Sequence, residues 1–143
     1  MKSKILVFIQ FFCIFLLIFL NTSYYKIFSY QSVILILGIT IGTLAILENK
    51  LHNFNIRPDI KDDADLITTG IYYYIKHPMY SSVLLTMLAI VLIKITYISI
   101  IIYIVLLVNI IIKMFYEEKL WNNLTKEYKI YSEKTYRLIP LIF

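Results

Sequence analysis

The sequence predicts an all-α, polytopic membrane protein with about four transmembrane helices, a C-terminal helical hairpin and an amphipathic cytosolic tail helix. Hydrophobic residues make up 60% of the chain, whose mean hydropathy is +0.77. They are gathered into four apolar runs of about 15 to 21 residues, close to the roughly 20 residues that a helix needs to cross a bilayer. For a chain of 143 residues a single domain, residues 1–143, is expected.

The four helices are expected at about residues 5–22, 31–48, 78–94 and 96–116. The first apolar run, broken only by Gln10, resembles a signal peptide. No small-residue cleavage site follows it, so an uncleaved helix is predicted. The second run carries Gly38 and Gly42, a small-xxx-small pair that permits close helix packing. A chance occurrence on a lipid-facing surface is the alternative.

The third and fourth apolar runs are expected to form an antiparallel hairpin. Met79–Ile93 has 15 residues and is short for a perpendicular span, so its ends must rely on Tyr80 and on a snorkelling Lys94. Ile95–Phe115 has 21 residues and is long enough to cross. Because Lys94–Ser99 leaves room only for a tight turn, the two helices run in opposite directions.

The charges predict the orientation. Of the 14 Lys and Arg residues, Lys26 and Lys94 lie in the first and third loops, and the other 12 lie at the N-terminus, in the middle loop and in the tail. By the positive-inside rule both termini and the middle loop are expected in the cytosol, and the expected location is a bacterial cytoplasmic membrane. All 9 acidic residues fall on that side.

The net charge of +5 indicates contact with anionic lipids. It does not indicate nucleic-acid binding, because the charges form no stripe with stacking aromatics.

The tail, residues 116–143, carries the second motif at 116–140 and is expected to contain an amphipathic helix that continues from the fourth helix or lies on the membrane surface. Its larger side chains recur at helical spacing, at Glu117, Leu120, Trp121, Leu124 and Tyr128. A short apolar end around Pro140 is expected to pack against the bundle.

No metal site is expected. Cys13 lies inside an apolar run without a spaced partner, so it is predicted to be a packing residue. The acidic cluster of the middle loop lacks the Gly and the terminal Glu of a calcium-binding loop, so a solvated loop is predicted for Asp59, Asp62, Asp63 and Asp65. His77 has no second ligand at a fixed spacing.

Residues 66–82, LITTGIYYYIKHPMYSS, are the first candidate site. Pro78 at a helix start places Lys76 and His77 where free backbone N–H groups favour an anion. Gly70 permits a close backbone approach to a ligand, and Tyr72 and Tyr80 offer π faces to a cation. The alternative is that these Lys, His and Tyr side chains only anchor the chain at the lipid headgroups.

The second candidate site begins at Glu117 and Glu118, at the end of the fourth helix. Paired carboxylates could accept hydrogen bonds from ribose hydroxyls, balance a sulfonium or act as a base. The alternative is the charged end of a membrane span.

Together the two stretches resemble the isoprenylcysteine carboxyl methyltransferase family and its phospholipid N-methyltransferase relatives. The resemblance covers about Asn53 to Pro140, and the positions in register are Leu66, Thr68, Gly70, Tyr72, His77, Pro78, Tyr80, Glu117, Glu118, Leu120 or Trp121, Tyr128, Tyr131, Arg137 and Pro140. The chain departs from the family pattern in having Lys76 for Arg, Ser82 for Gly, Leu124-Thr125 for Phe-Gly and Tyr136 for Pro. These departures bear on the cofactor contacts and the substrate.

The resemblance implies a membrane methyltransferase that uses S-adenosylmethionine. In such a family the cofactor is lined by Gly70, Tyr72, His77, Pro78 and Tyr80, and Glu117 and Glu118 close the pocket. Beyond this we expect the carboxylate of the cofactor near Lys76 and His77, and Glu118 at the ribose or the cationic part. His77 and Glu118 are the candidate catalytic residues. The expected acceptor is apolar or lipidated, such as a prenylated molecule, at the cytosolic face.

Three other functions stay open at this point. The first is N-methylation of a phospholipid or another amine by the same fold. The second is a small non-enzymatic membrane subunit. The third is a reductase that uses a nicotinamide cofactor, for which the chain shows no dinucleotide-binding glycine pattern.

Overall fold

The computed structural model describes residues 2–21, 30–53, 55–61 and 64–140. In these ranges the chain is helical and contains no β-strand. The five α-helices are α1 (Lys2–Asn21), α2 (Tyr30–Asn53), α3 (Pro78–Ile93), α4 (Tyr97–Leu124) and α5 (Lys126–Lys134), and a short 3-10 turn (Gly70–Tyr73) precedes α3.

Three of these helices are long and apolar enough to cross a membrane, namely α1, the Tyr30–Asn49 part of α2, and α4. The all-helical membrane class is therefore confirmed. With 16 residues, α3 is shorter: at 1.5 Å per residue it extends about 24 Å, less than the roughly 30 Å of the hydrocarbon core. A fourth full span stays a prediction. Helices α2 and α4 also run further than expected, to Asn53 and Leu124.

The second helix packs closely on α3 through its two glycines. A Cβ atom at Gly38 would lie 2.7 Å from Thr86 Oγ1 and 3.0 Å from the Thr86 backbone nitrogen. At Gly42 it would collide with the Ser82 side chain. The Ser82 hydroxyl donates a hydrogen bond of 2.7 Å to the Gly38 carbonyl oxygen. The packing interpretation of the glycine pair is confirmed, and Ser82 has a structural role at this contact.

The first helix packs on α4 around a core of Leu17, Leu106, Ile110 and Met114. Cys13 is 4% exposed within this core, so the packing role predicted for it is confirmed. Large apolar side chains on the outer faces of α1 and α2 remain exposed, as expected for surfaces that contact lipid.

The predicted hairpin is present. A three-residue connection, 94–96, joins α3 to α4. The Thr96 hydroxyl caps α4 by accepting a hydrogen bond of 3.1 Å from the Ser99 backbone N–H. Further along, the Tyr103 hydroxyl donates to the Leu84 carbonyl oxygen at 3.2 Å.

The tail is broken where the spacing predicted one continuous helix. Helix α4 continues to Leu124, but Thr125 is extended, with φ −146° and ψ 140°. Its hydroxyl caps α5 by accepting from the Glu127 backbone N–H at 3.2 Å. The expectation that Tyr128 lies on the same helix as Glu117 is therefore wrong. The break turns α5 back towards the start of α3.

The α2–α3 contact leads to a stability prediction. We expect Gly38→Val to lower the free energy of unfolding in detergent by about 1–3 kcal/mol, because overpacking forces the helices apart. The matched control is Ile39→Val, which changes an exposed neighbour (54% exposed) and should stay within about 0.5 kcal/mol of the unmodified protein. Equal effects of the two substitutions would contradict the close contact.

Candidate active site

The tail returns to the start of α3 through backbone hydrogen bonds. Ile75 and Tyr136 form an isolated parallel bridge. Around it, Lys76 N donates to Tyr136 O at 2.7 Å and His77 N donates to Arg137 O at 3.1 Å. The Ser81 hydroxyl adds a bond of 2.7 Å to the Leu138 carbonyl oxygen. The two polar stretches, 66–82 and 116–140, therefore meet at one end of the bundle.

His77 is the residue that begins α3. It occupies the N-cap position with φ −123° and ψ 58°, and Pro78 follows at the first helical position. The imidazole is buried and stacks on the Tyr80 ring, with 5.4 Å between ring centroids and an interplanar angle of 18°. The local sequence thus holds the imidazole in place without a side-chain cap bond.

Three basic side chains converge on the buried carboxylate of Glu118. Lys76 Nζ lies 3.4 Å from Oε1, and Arg137 Nε lies 3.0 Å from Oε1 and 3.3 Å from Oε2. His77 Nε2 is 3.4 Å from Oε1 but is not aligned for a hydrogen bond. Burial lowers the pKa of Lys76 from its ordinary value, and the Glu118 charge opposes that shift. This carboxylate ties the tail to the start of α3.

Glu117 has different surroundings. Its Oε2 accepts a hydrogen bond of 2.7 Å from the Tyr80 hydroxyl and lies 4.0 Å from His77 Nδ1. The Glu117 side chain is 28% exposed, against 10% for Glu118. Consecutive residues on a helix point about 100° apart, so the two acids face different environments.

A cleft opens on the Glu117 side. Five other predicted site residues line it, namely Tyr72, Lys76, His77, Pro78 and Tyr80. Gly70 and Glu118 are not among the residues that line it. Gly70 adopts φ +56° and lies against the Glu48 carboxylate of α2, which accepts a hydrogen bond from the Thr69 hydroxyl. In this structure Gly70 permits the 3-10 turn to approach α2.

Aromatic rings form one wall of the cleft. Trp121 stacks on Tyr128 with 5.9 Å between centroids and an interplanar angle of 15°, and Tyr131 meets Tyr128 edge-on at 5.9 Å. The Tyr131 hydroxyl donates to the Tyr72 carbonyl oxygen at 2.6 Å. Burial raises the pKa of Tyr72, Tyr128 and Tyr131 above the ordinary value, so these hydroxyls stay neutral at physiological pH.

Sequence reasoning did not assign a site role to three residues that shape this region. Arg137 was noted only as a pattern match, although it makes the shortest of the three basic contacts with the Glu118 carboxylate. Lys113 is 1% exposed and lies over the Tyr80 ring, 5.2 Å from its centroid. Gln10 of α1 accepts a hydrogen bond from Lys113 Nζ at 2.5 Å. A polar residue inside an otherwise apolar run was the available signal for Gln10 and Lys113.

Among the described residues, no group of three or more His, Cys, Asp and Glu side chains is placed to hold a metal ion. Asp62 and Asp63 of the predicted solvated loop lie outside the described residues.

Comparison with known proteins identifies the family. A model of the isoprenylcysteine carboxyl methyltransferase (ICMT) family matches residues 30–123, well over half of the 143 residues. The chain belongs to the ICMT family. It is therefore a membrane methyltransferase of the ICMT type, as the two polar motifs indicated. No curated protein and no solved structure matches the chain.

The match to the ICMT family differs in extent from the resemblance drawn on the motifs. It includes α2 and the turn–α3–α4 region with the Glu117–Glu118 pair, and it ends at Asn123. Helix α1, helix α5 and Arg137 lie beyond it. The contacts of Arg137 and Tyr131 nonetheless connect the tail directly to the matched part.

The cleft suits the cofactor that ICMT enzymes generally use, S-adenosylmethionine. The Tyr128 hydroxyl is a buried polar atom of a cleft-lining residue, and it has no hydrogen-bond partner in the described part of the chain. Buried polar groups are normally paired, so this hydroxyl can accommodate a polar ligand. The Glu117 carboxylate and the aromatic wall match a ligand that combines a cation, hydroxyls and a purine ring.

The Glu118 cluster leads to a second prediction. Glu118→Gln should lower the free energy of unfolding by about 3–5 kcal/mol, because it leaves buried basic groups without a counter-charge. Equilibrium unfolding in detergent measures this. Glu127→Gln, at an exposed position of α5, is the control and should change the stability by less than about 0.5 kcal/mol. A Glu118→Gln protein as stable as the control would show that the cluster does not hold the tail.

Proposed function

We propose that this protein transfers a methyl group from S-adenosylmethionine to the carboxylate of an apolar or lipidated acceptor at the cytosolic membrane face. The observation that supports this best is the convergence of Lys76 and His77 with Glu117 on one cleft, in a chain of the ICMT family. Local sequence around each motif is compatible with simple membrane anchors. Anchors at the headgroups would not need burial, and Lys76 and His77 are 9% and 6% exposed.

The start of α3 is the place for the amino-acid end of the cofactor. Lys76 and His77, at the positive end of the α3 dipole, suit its carboxylate. Glu117, with its partner Tyr80, suits the ribose hydroxyls or the cationic part. The rings of Tyr72, Trp121 and Tyr128 suit the sulfonium and the purine. When bound, S-adenosylmethionine supplies a methyl group activated by the positive sulfur.

The two acids are proposed to act differently. Glu117 faces the cleft and can contact a ligand directly. Glu118 lies behind Lys76 and His77 and accepts a hydrogen bond from Arg137. We therefore assign Glu118 an indirect part, in which it orients Lys76 and His77. His77 is proposed to contact the ligand from the helix start, where its Nδ1 lies 4.0 Å from the cleft-lining Glu117 carboxylate.

Both acids already accept hydrogen bonds from other side chains, and this favours a carboxylate over an amine as the methyl acceptor. A carboxylate is ionised at neutral pH and needs no base before it attacks a methyl group. A phospholipid amine is protonated and would need one. Glu117 already accepts from Tyr80, and Glu118 already accepts from Arg137. The main requirements for carboxylate methylation are alignment and exclusion of water, and the aromatic wall of the cleft would contribute to both.

The proposed location follows from the same contacts. The middle loop and the tail meet at one end of the bundle, and together with the N-terminus they carry most of the basic residues. By the positive-inside rule, this distribution supports a cytosolic position for that end. An acceptor anchored in the membrane by an apolar chain would reach the cleft from the lipid.

Cofactor binding is the first test of this function. Purified protein in detergent is expected to bind S-adenosylmethionine and S-adenosylhomocysteine saturably, as measured by isothermal titration calorimetry. Glu117→Gln should weaken binding about tenfold, corresponding to about 1.4 kcal/mol for one charged contact. Lys94→Ala, at the opposite end of α3, is the control and should bind normally. Absence of saturable binding by the unmodified protein would overturn the methyltransferase proposal.

The acceptor is tested by the chemistry of the product. Membranes that contain the protein are incubated with methyl-labelled cofactor, and the products are separated into base-labile esters and base-stable amines. Carboxyl methylation predicts label in apolar, base-labile esters that is absent with His77→Ala. Label confined to base-stable phospholipid amines would contradict the carboxylate acceptor while leaving the methyltransferase function intact.

A further inference from the structure

Lys113 is a buried cation that the proposed chemistry does not use. It lies on α4, one helical turn before Glu117, and is 1% exposed. Its Nζ donates to Gln10 Oε1 at 2.5 Å and to the Ile56 carbonyl oxygen at 3.2 Å. The same nitrogen lies 5.2 Å from the centroid of the Tyr80 ring. These three partners belong to α1, to the 55–61 segment and to α3.

A buried ammonium is tolerated only where its donors are satisfied. The partners of Lys113 are therefore fixed relative to one another by a single group. Tyr80 lines the cleft and donates to Glu117. Ile56 does not line the cleft itself, but it lies between Asn55 and Arg57, which do. Gln10 alone comes from α1, which lies outside the range matched by the family model.

We propose that Lys113 is a positioning residue for the cofactor cleft and that Gln10 anchors it from α1. Lys113 holds the 55–61 segment as one wall of the cleft and holds the Tyr80 ring in the orientation that directs its hydroxyl to Glu117. Through Gln10, the first helix becomes part of the site although it contributes no residue to the cleft lining. The consequence for cofactor affinity rests on the proposed function, whereas the positioning of the segment does not.

The test separates positioning from mere stability. Lys113→Met leaves the Gln10 amide buried without its partner, whereas Gln10→Leu combined with Lys113→Met removes both polar groups. Replacing both partners by apolar groups is close to neutral for stability. The control is Asn109→Leu, because Asn109 is buried on the same face of α4 and donates to Leu6 O of α1 at 3.0 Å, away from the cleft.

Three quantities are measured on the 143-residue protein in detergent: the thermal midpoint, the hydrogen exchange of the 55–61 backbone, and the Kd for S-adenosylhomocysteine. We expect the double variant to regain a midpoint close to that of the unmodified protein. Its 55–61 exchange should stay about tenfold faster and its Kd about tenfold higher, because the anchor of the cleft wall is still missing. Asn109→Leu should lower the midpoint without changing the other two quantities.

The proposal is overturned if exchange and Kd in the double variant return to normal together with the midpoint, since Lys113 would then be a structural residue only. If the unmodified protein binds no S-adenosylhomocysteine, the proposed function fails, and the exchange of 55–61 still decides the positioning role.

If Lys113→Met does not fold, Gln10→Leu and Gln10→Glu take its place. Gln10→Glu keeps an acceptor for Lys113 and should preserve slow exchange, whereas Gln10→Leu should not. Fast exchange in both or in neither contradicts the proposal.

Discussion

The site depends on one buried carboxylate that contacts basic side chains from two distant parts of the chain. Glu118 lies on α4, Lys76 and His77 precede α3, and Arg137 belongs to the tail. Charge-assisted bonds to a shared carboxylate are the stronger class of polar contact. They act here together with the backbone bridge between Ile75 and Tyr136. Together with the hydrogen bond from the Tyr131 hydroxyl to the Tyr72 carbonyl oxygen, this convergence holds α5 and the aromatic wall over the cleft.

The length of α4 makes the convergence possible. Its 28 residues extend about 42 Å, roughly 12 Å more than the hydrocarbon core. The surplus carries Glu117 and Glu118 beyond the apolar part of the helix, to the level of the start of α3. Thr125 then ends the helix in an extended conformation, and the chain returns through α5. The two adjacent acids therefore have different surroundings. Glu118 contacts the basic side chains that connect the tail to the start of α3, and Glu117 lines the cleft.

The class of fold and the two motifs could be predicted from the sequence, because both depend on local patterns. Apolar runs predict membrane helices, and the Lys-His-Pro triplet predicts a helix start. Local patterns do not tell which of two neighbouring acids faces the cleft, since that depends on the rotation of α4 against α3. The same limit applies to the break at Thr125, because the helical spacing continues across it. The pairing of Gln10 with Lys113 joins residues 103 positions apart, and each of them looked like an isolated interruption of an apolar run.

The central claim is that the two motifs form one S-adenosylmethionine site. Ultraviolet cross-linking of radiolabelled S-adenosylmethionine to the purified protein, followed by peptide mapping, tests it most directly. The account predicts label on peptides that contain 72–80 or 117–131, and loss of that label in excess S-adenosylhomocysteine. Label that excess S-adenosylhomocysteine does not displace, or that falls only on peptides from α1 or α2, would contradict it.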